Sequence, residues 1–225
     1  DFVTEAPFGE LARRLMQGGF SFDYISDAQL AVSSAEGGSV VTPGNEYAVL
    51  VVPAVDHMPL ETLRSLKRLS DAGATVLFAE WPKDVPGLGR LAERREELAA
   101  LVATMKETAS QKGWMAGDPV SALRKRGLAK REPMVESGLD FIRRRSERGW
   151  DYFVANLSAE PFDGWARLGA PARSGVFLDP LNGAGGVATL QAAAVAAVVS
   201  LAVVGLAGGL VAALVALVVQ ATGVV

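Results

Sequence analysis

Apolar residues recur at helical spacing in three segments of the first 111 residues. Residues 8–18 (FGELARRLMQG) place their apolar positions on one helical face, and two glycines end the pattern. Residues 59–73 (PLETLRSLKRLSDAG) open with proline and repeat leucine every three positions. A long charged segment covers about residues 89–111. The pattern predicts three helices, and the first two have one apolar face each.

Three short apolar runs alternate with these segments and predict strands over residues 20–25, 47–53 and 74–80. The second run, YAVLVVPAV, is continuously apolar, as are strands that are buried on both faces. Alternation of strands and helices is typical of α/β folds. We therefore expect an open parallel sheet with flanking helices, flavodoxin-like in architecture. The three strands would be neighbours, and at least one more strand would complete the sheet.

A small β-rich segment follows from about residue 134. The sequence GLDFIRRRSERGWDYFVANLS predicts a hairpin with its turn at residues 147–149, and two further short strands follow in WARLGAP and SGVFLDPLNG. The arginines of the hairpin could mark a phosphate site, but we expect them to line a solvated face; they are Arg143, Arg144, Arg145 and Arg148. The pattern divides the chain into an α/β domain (1–130), a β-rich segment of a truncated sandwich (131–190) and an apolar tail (191–225).

The tail differs in composition from everything before it. All 47 charged residues lie at or before Asp179, and residues 192–219 contain Ser200 as their one polar side chain. About 20 apolar residues suffice for a helix that spans a bilayer, and Gly205 and Gly209 form a GxxxG spacing. The flanking basic and aromatic anchors of such helices are missing. We expect a membrane-seeking apolar helix; a buried helix, strands or an unnatural terminus are the alternatives.

Composition excludes several classes of function. The net charge of −3, without a basic patch, argues against nucleic-acid binding. The chain has no cysteine, which removes thiol chemistry, and its single histidine, His57, excludes a site of several histidines. No phosphate-binding loop, nucleophile elbow or metal constellation is visible. The chain opens on Asp1 without a signal peptide, which suggests a fragment of something longer.

Each predicted strand is followed by an acidic residue. Asp27 follows the first strand, Asp56 and His57 follow the second, and Glu80 and Trp81 follow the third. In open parallel sheets, ligands bind at the carboxyl ends of the strands. Carboxylates, an imidazole and an indole at one edge could bind a sugar. The alternative for each acid is the more common role of capping a helix or forming a turn.

Two long stretches resemble glycoside hydrolase family 106, the α-L-rhamnosidases. The first is SFDYISDAQL with YAVLVVPAVDHMPLETLRSLKRLSDAGATVLFAEWPKDVPGLGRLAERREEL, and the second begins REPMVESGLDFIRRR and includes YFVAN. Together they cover about residues 8–188, and the pattern DVPGL..L..RR is the most distinctive part.

The resemblance implies a large, extracytoplasmic or secreted bacterial enzyme that removes rhamnose by inversion in a calcium-assisted (β/α)8 barrel. The resembling stretches follow the barrel, and their α/β part is similar to amidotransferase-like accessory domains. The family's catalytic glutamates belong to the barrel, so no catalytic residue is carried over to this chain. No cofactor is expected in this segment, since calcium is implied for the barrel alone.

The sequence therefore leaves three candidate functions. The first is a non-catalytic accessory region whose partner is the barrel of an enzyme that acts on rhamnose-containing carbohydrate. The second is a carbohydrate-binding module that uses Trp81 and the strand-edge acids. The third is a structural domain held at a membrane by residues 192–219.

Overall fold

A computed structural model describes residues 6–112, 115–147, 149–180, 183–192, 197–203 and 213–220. The chain forms two compact units. The first unit contains the chain up to Arg14 and Phe22–Ala129, and the second contains Leu15–Ser21 and the chain from Lys130 onward.

Five helices lie in the part of the chain before residue 127 that the structure describes. They are α1 (Pro7–Gln17), α2 (Asp27–Val32), α3 (Leu60–Asp71), α4 (Leu91–Lys112) and α5 (Pro119–Arg126). Helices α1, α3 and α4 confirm the three that the apolar spacing predicts. The leucine repeat of α3 is its buried face, because Leu63, Leu66 and Leu69 are at most 2% exposed.

Two small sheets belong to the first unit. An antiparallel sheet has the order β1 (Ser34–Glu36), β2 (Ser39–Val41), β3 (Glu46–Tyr47). A parallel sheet has the order β4 (Leu50–Val52), β5 (Val76–Phe78), β6 (Met115–Ala116). The core packs α3 and α4 against β5, with residues such as Phe78, Leu98 and Met105.

The predicted flavodoxin-like or amidotransferase-like open sheet is wrong. Among the described residues, parallel pairing is limited to strands of three, three and two residues and one isolated bridge, and the other sheets are antiparallel. The predicted strand 47–53 is divided between two sheets, because Tyr47 pairs with Val40 and Leu50 pairs with Val76. A continuous apolar run is compatible with both pairings, so the sequence does not reveal the break.

Residues 20–26 form no strand in the structure. Their aromatic side chains contact one another and α1: the rings of Phe22 and Tyr24 lie 5.5 Å apart, and those of Tyr24 and Phe8 lie 4.6 Å apart. Tyr47 fixes the segment by donating a 2.8 Å hydrogen bond to Asp23. These side-chain contacts hold the segment in place without the backbone pairing of a strand.

The second unit contains a 3₁₀ turn (Pro133–Ser137) and two antiparallel sheets. The strands are β7 (Asp140–Ser146), β8 (Gly149–Asn156), β9 (Phe162–Arg167), β10 (Ser174–Leu178), β11 (Gly185–Val187), β12 (Leu190–Ala192), β13 (Ala197–Val203) and β14 (Ala213–Gln220). One sheet has the order β11, β10, β14, β8, β7, and the other has the order β12, β13, β9. Strands β7 and β8 confirm the predicted hairpin.

The apolar helix predicted for residues 192–219 is replaced by strands wherever the structure describes this region. Strand β13 pairs with β9 and β12, and β14 lies between β8 and β10. An uninterrupted run of alanine and valine is compatible with a central β-strand as well as with an apolar helix. Neighbouring strands with unpaired edges favour the strand, because it satisfies their backbone hydrogen bonds. Gly205 and Gly209 lie outside the described residues. Within the described ranges, no helix is long and apolar enough to cross a bilayer.

Candidate functional site

The segments after β4 and β5 run side by side, because parallel strands end at the same edge of a sheet. The Asp56 carbonyl accepts backbone hydrogen bonds from Lys83 (3.0 Å) and Asp84 (2.9 Å), and the Met58 N–H donates to the Asp84 carbonyl at 2.9 Å. His57 and Asp84 form an isolated parallel bridge. The backbone therefore brings Asp56 and His57 beside the residues that follow Glu80.

Lys83 joins the two predicted carboxylates of this edge. Its ammonium lies 3.0 Å from Asp56 Oδ1 and 3.6 Å from Glu80 Oε2. The hydrogen bond from Lys83 lowers the pKa of Asp56, and the same bond raises the pKa of Lys83. All three side chains are more than 60% exposed. An exposed carboxylate with a lowered pKa is unsuited to general acid catalysis, which needs a proton held near neutral pH.

Asp84 makes an ion pair through both of its carboxylate oxygens. Arg95 donates from Nε at 2.8 Å and from a terminal nitrogen at 2.6 Å, and the Val85 N–H adds a 2.8 Å bond. The hydrogen bond from Arg95 is the largest cause of the lowered pKa of Asp84. Arg94 donates 2.7 Å bonds to the carbonyls of Pro86, Gly87 and Gly89. These contacts explain the pattern DVPGL..L..RR: its aspartate and both arginines fasten one loop to the start of α4.

Trp81 is half-buried at the same edge. Its ring stacks on Phe78, with the centroids 4.6 Å apart and the planes at 24°. The indole also lines a cavity of about 670 Å³ next to α4, together with Glu80, Pro82, Lys83, Val102 and Lys106. Trp81 is thus anchored by core packing on one side and borders open space on the other.

Asp27 is not joined to this group. It lies in the first turn of α2 and is exposed. The cap of that helix is Ser26, which exchanges capping-box hydrogen bonds with Gln29. Within the described ranges, no hydrogen bond or ion pair connects Asp27 with Asp56, His57, Glu80 or Trp81. The structure therefore assembles four of the five predicted residues.

The second unit contains a buried carboxylate that the sequence pattern does not reveal. Glu132 is fully buried and accepts hydrogen bonds from Gly169 N–H (2.7 Å), the Tyr152 hydroxyl (2.9 Å) and Arg143 (3.1 Å). Burial raises its pKa, and these donors oppose the rise. The side chain of Arg143 is 9% exposed, so the prediction that it lines a solvated face is wrong. Arg144 and Arg145 are exposed as predicted, and Arg148 lies outside the described residues.

Neither group of residues is a metal site. In the part of the chain that the structure describes, no three acidic or histidine side chains converge as metal ligands.

Comparison with known proteins defines the class of protein. The sequence model of the alpha-L-rhamnosidases of glycoside hydrolase family 106 matches residues 7–186. The structure is similar to that of a rhamnosidase from Novosphingobium sp. PP1Y, with a TM-score of 0.74 and 22% identity over 91% of this chain and 20% of that chain. An inferred beta-glucuronidase of Formosa agariphila is 27% identical over 155 residues, which are 67% of this chain and 13% of that protein.

The chain belongs to glycoside hydrolase family 106. It spans 20% of the rhamnosidase and 13% of the glucuronidase to which it is similar.

Proposed function

We propose that these residues form a non-catalytic region of a larger rhamnosidase-like enzyme, where they support a separate (β/α)8 catalytic barrel. One observation carries the proposal: the chain matches almost its whole length to one fifth of a rhamnosidase. The whole activity of such an enzyme would therefore reside in a longer polypeptide that acts on rhamnose-containing glycans.

The geometry of the strand edge supports a non-catalytic role. A hydrolase of this type needs one carboxyl group that holds a proton and one that activates water, across a defined gap. Asp56 is paired with Lys83, and Asp84 is paired with Arg95 through both oxygens. Both pairs favour the ionised form of the carboxylate. Each carboxylate binds a cation of the same chain, so its role is to hold loops in place.

The proposal is tested in the full-length product of the gene. We expect the double substitution Asp56→Asn and Glu80→Gln to leave kcat on an aryl α-L-rhamnoside within about twofold, since loss of a catalytic acid or base costs roughly 10²–10⁴-fold. Glu61→Gln on the exposed face of α3 serves as the matched control. A drop of about a hundredfold in the double variant alone would assign catalysis to this edge.

A second candidate is a carbohydrate-binding surface at Trp81. The observation that favours it is the cavity bordered by the indole, two lysines and Glu80, because sugars pack on aromatic rings and accept hydrogen bonds from cations. Titration with rhamnose-containing oligosaccharides should change tryptophan fluorescence in the parent protein, and Trp81→Phe should remove the response. Trp165→Phe, on β9, is the matched control. Equal responses in both variants would reject the surface.

A further inference from the structure

The five-stranded sheet of the second unit carries an apolar strip on one face. The strip consists of Ile142, Phe153, Val176, Leu178 and Val187, whose exposed fractions are 69%, 38%, 44%, 48% and 80%. Side chains of this size are normally buried in a core or at an interface.

The strand register places the strip across the sheet in two neighbouring rows. Ile142 pairs with Phe153, and both Phe153 and Leu178 pair with Ala216 of β14. Two residues further along, Val176 pairs with Val187 on one side and with Val218 on the other. Polar residues enter the second row only at its β8–β7 end, where Asp151 pairs with Arg144.

The opposite face of the sheet packs against the core at β7 and β8, whereas Phe177 on that face of β10 is 36% exposed. Tyr152 and Val154 alternate with Phe153 along β8 and are at most 2% exposed. In an antiparallel sheet with one solvated face, the outward positions are typically polar. A continuous apolar outer face instead marks a surface that another layer covers.

We propose that the catalytic portion of the same polypeptide covers the apolar strip. The assignment rests on the proposed function, in which these residues belong to a longer enzyme. The chain accounts for 20% of the similar rhamnosidase, so about four fifths of such a polypeptide is available to form the covering layer. Attachment through the backbone favours this occupant, because a tethered partner is present at a high effective concentration.

The 225 residues contain no cysteine, so a thiol introduced into the strip is identified by the mass of its own peptide. The variants Ile142→Cys and Val187→Cys are prepared in the full-length product, and maleimide labelling of each introduced thiol is followed by mass spectrometry. Arg167→Cys, an exposed position of β9, is the matched control. We expect labelling at positions 142 and 187 to be at least about tenfold slower than at 167, with equal rates after unfolding.

Each outcome of the experiment has one meaning. Equal native rates at the three positions would overturn the docking assignment, and so would protection that disappears on dilution, since a second copy would then be the cover. Activity on an aryl rhamnoside is measured on the same samples. An inactive parental product would overturn the proposed function, whereas an active product with fast labelling at 142 and 187 would overturn the docking assignment alone.

Discussion

The guanidinium of Arg95 donates to both carboxylate oxygens of Asp84, at 2.8 and 2.6 Å. The pair connects the loop after β5 to α4, and the backbone of the same aspartate binds Met58 after β4. One aspartate thus joins three parts of the first unit, and Arg94 holds the following loop through three carbonyl groups.

Loss of these arginine contacts should loosen the loop. We expect Arg94→Lys and Arg95→Lys each to accelerate hydrogen exchange at the Val85 and Met58 amides, because lysine cannot reproduce the several directed bonds of a guanidinium. Arg90→Lys is the control, since Arg90 is largely exposed and lies 3.9 Å from its partner Glu93. Exchange rates that are the same in all three variants would show that the contacts of Arg94 and Arg95 have no part in ordering the loop.

The ion pair between Asp84 and Arg95 also predicts that the stability of the chain depends on pH. Since Arg95 lowers the pKa of Asp84, the contribution of this pair is complete above the unfolded pKa of about 3.9 and is lost as pH falls further. The urea midpoint of the parent chain should therefore fall more between pH 5 and pH 2.5 than the midpoint of Asp84→Asn. Parallel pH profiles for the two proteins would show that the Asp84–Arg95 pair does not contribute to stability.

Glu132 should be the most sensitive position of the second unit. Glu132→Gln leaves the nearly buried guanidinium of Arg143 without its counter-charge, which typically costs roughly 3–5 kcal/mol. Tyr152→Phe removes one hydrogen bond to the same carboxylate and should cost about 1–2 kcal/mol. Urea denaturation measures both free energies of unfolding, and a smaller loss for Glu132→Gln than for Tyr152→Phe would contradict the assignment.

Gly19 is required by a close backbone contact. A Cβ at this position would lie 2.3 Å from the Glu132 carbonyl oxygen, and its φ is +83°. Gly138 has a similar φ of +74° with open space around it. An alanine at this position therefore adds the same backbone strain without the close contact. We expect Gly19→Ala to cost about 1–3 kcal/mol more than Gly138→Ala in the free energy of unfolding. Equal losses would mean that the contact relaxes without cost.

Local patterns predicted α1, α3, α4 and the hairpin, and contacts distant in sequence decided the sheets. The leucine stripe of α3 is a local property, so its buried face could be read directly. Tyr47 and Leu50 belong to different sheets because their partners, Val40 and Val76, lie in other segments. The role of Arg143 depends on Glu132, which no spacing rule connects to the hairpin.

At the strand edge, too, local sequence predicted some features and contacts distant in sequence decided the others. Acids after strands were a local signal, and the backbone pairing after β4 and β5 did bring Asp56, His57, Glu80 and Trp81 to one edge. The partner of Asp56 and Glu80 could not be anticipated, because it is Lys83 from the loop that follows β5. This lysine places both candidate carboxylates in ion pairs.

The proposed function requires that the chain supports a glycosidase barrel without hydrolysing glycosides itself. The most direct measurement is hydrolysis of an aryl α-L-rhamnoside by the isolated chain, after circular dichroism has shown cooperative unfolding, beside the full-length product. We expect turnover by the full-length product and a rate for the isolated chain equal to that of buffer. Turnover by the isolated chain at about 1 s⁻¹ or faster, within the ordinary range of enzymes, would contradict it.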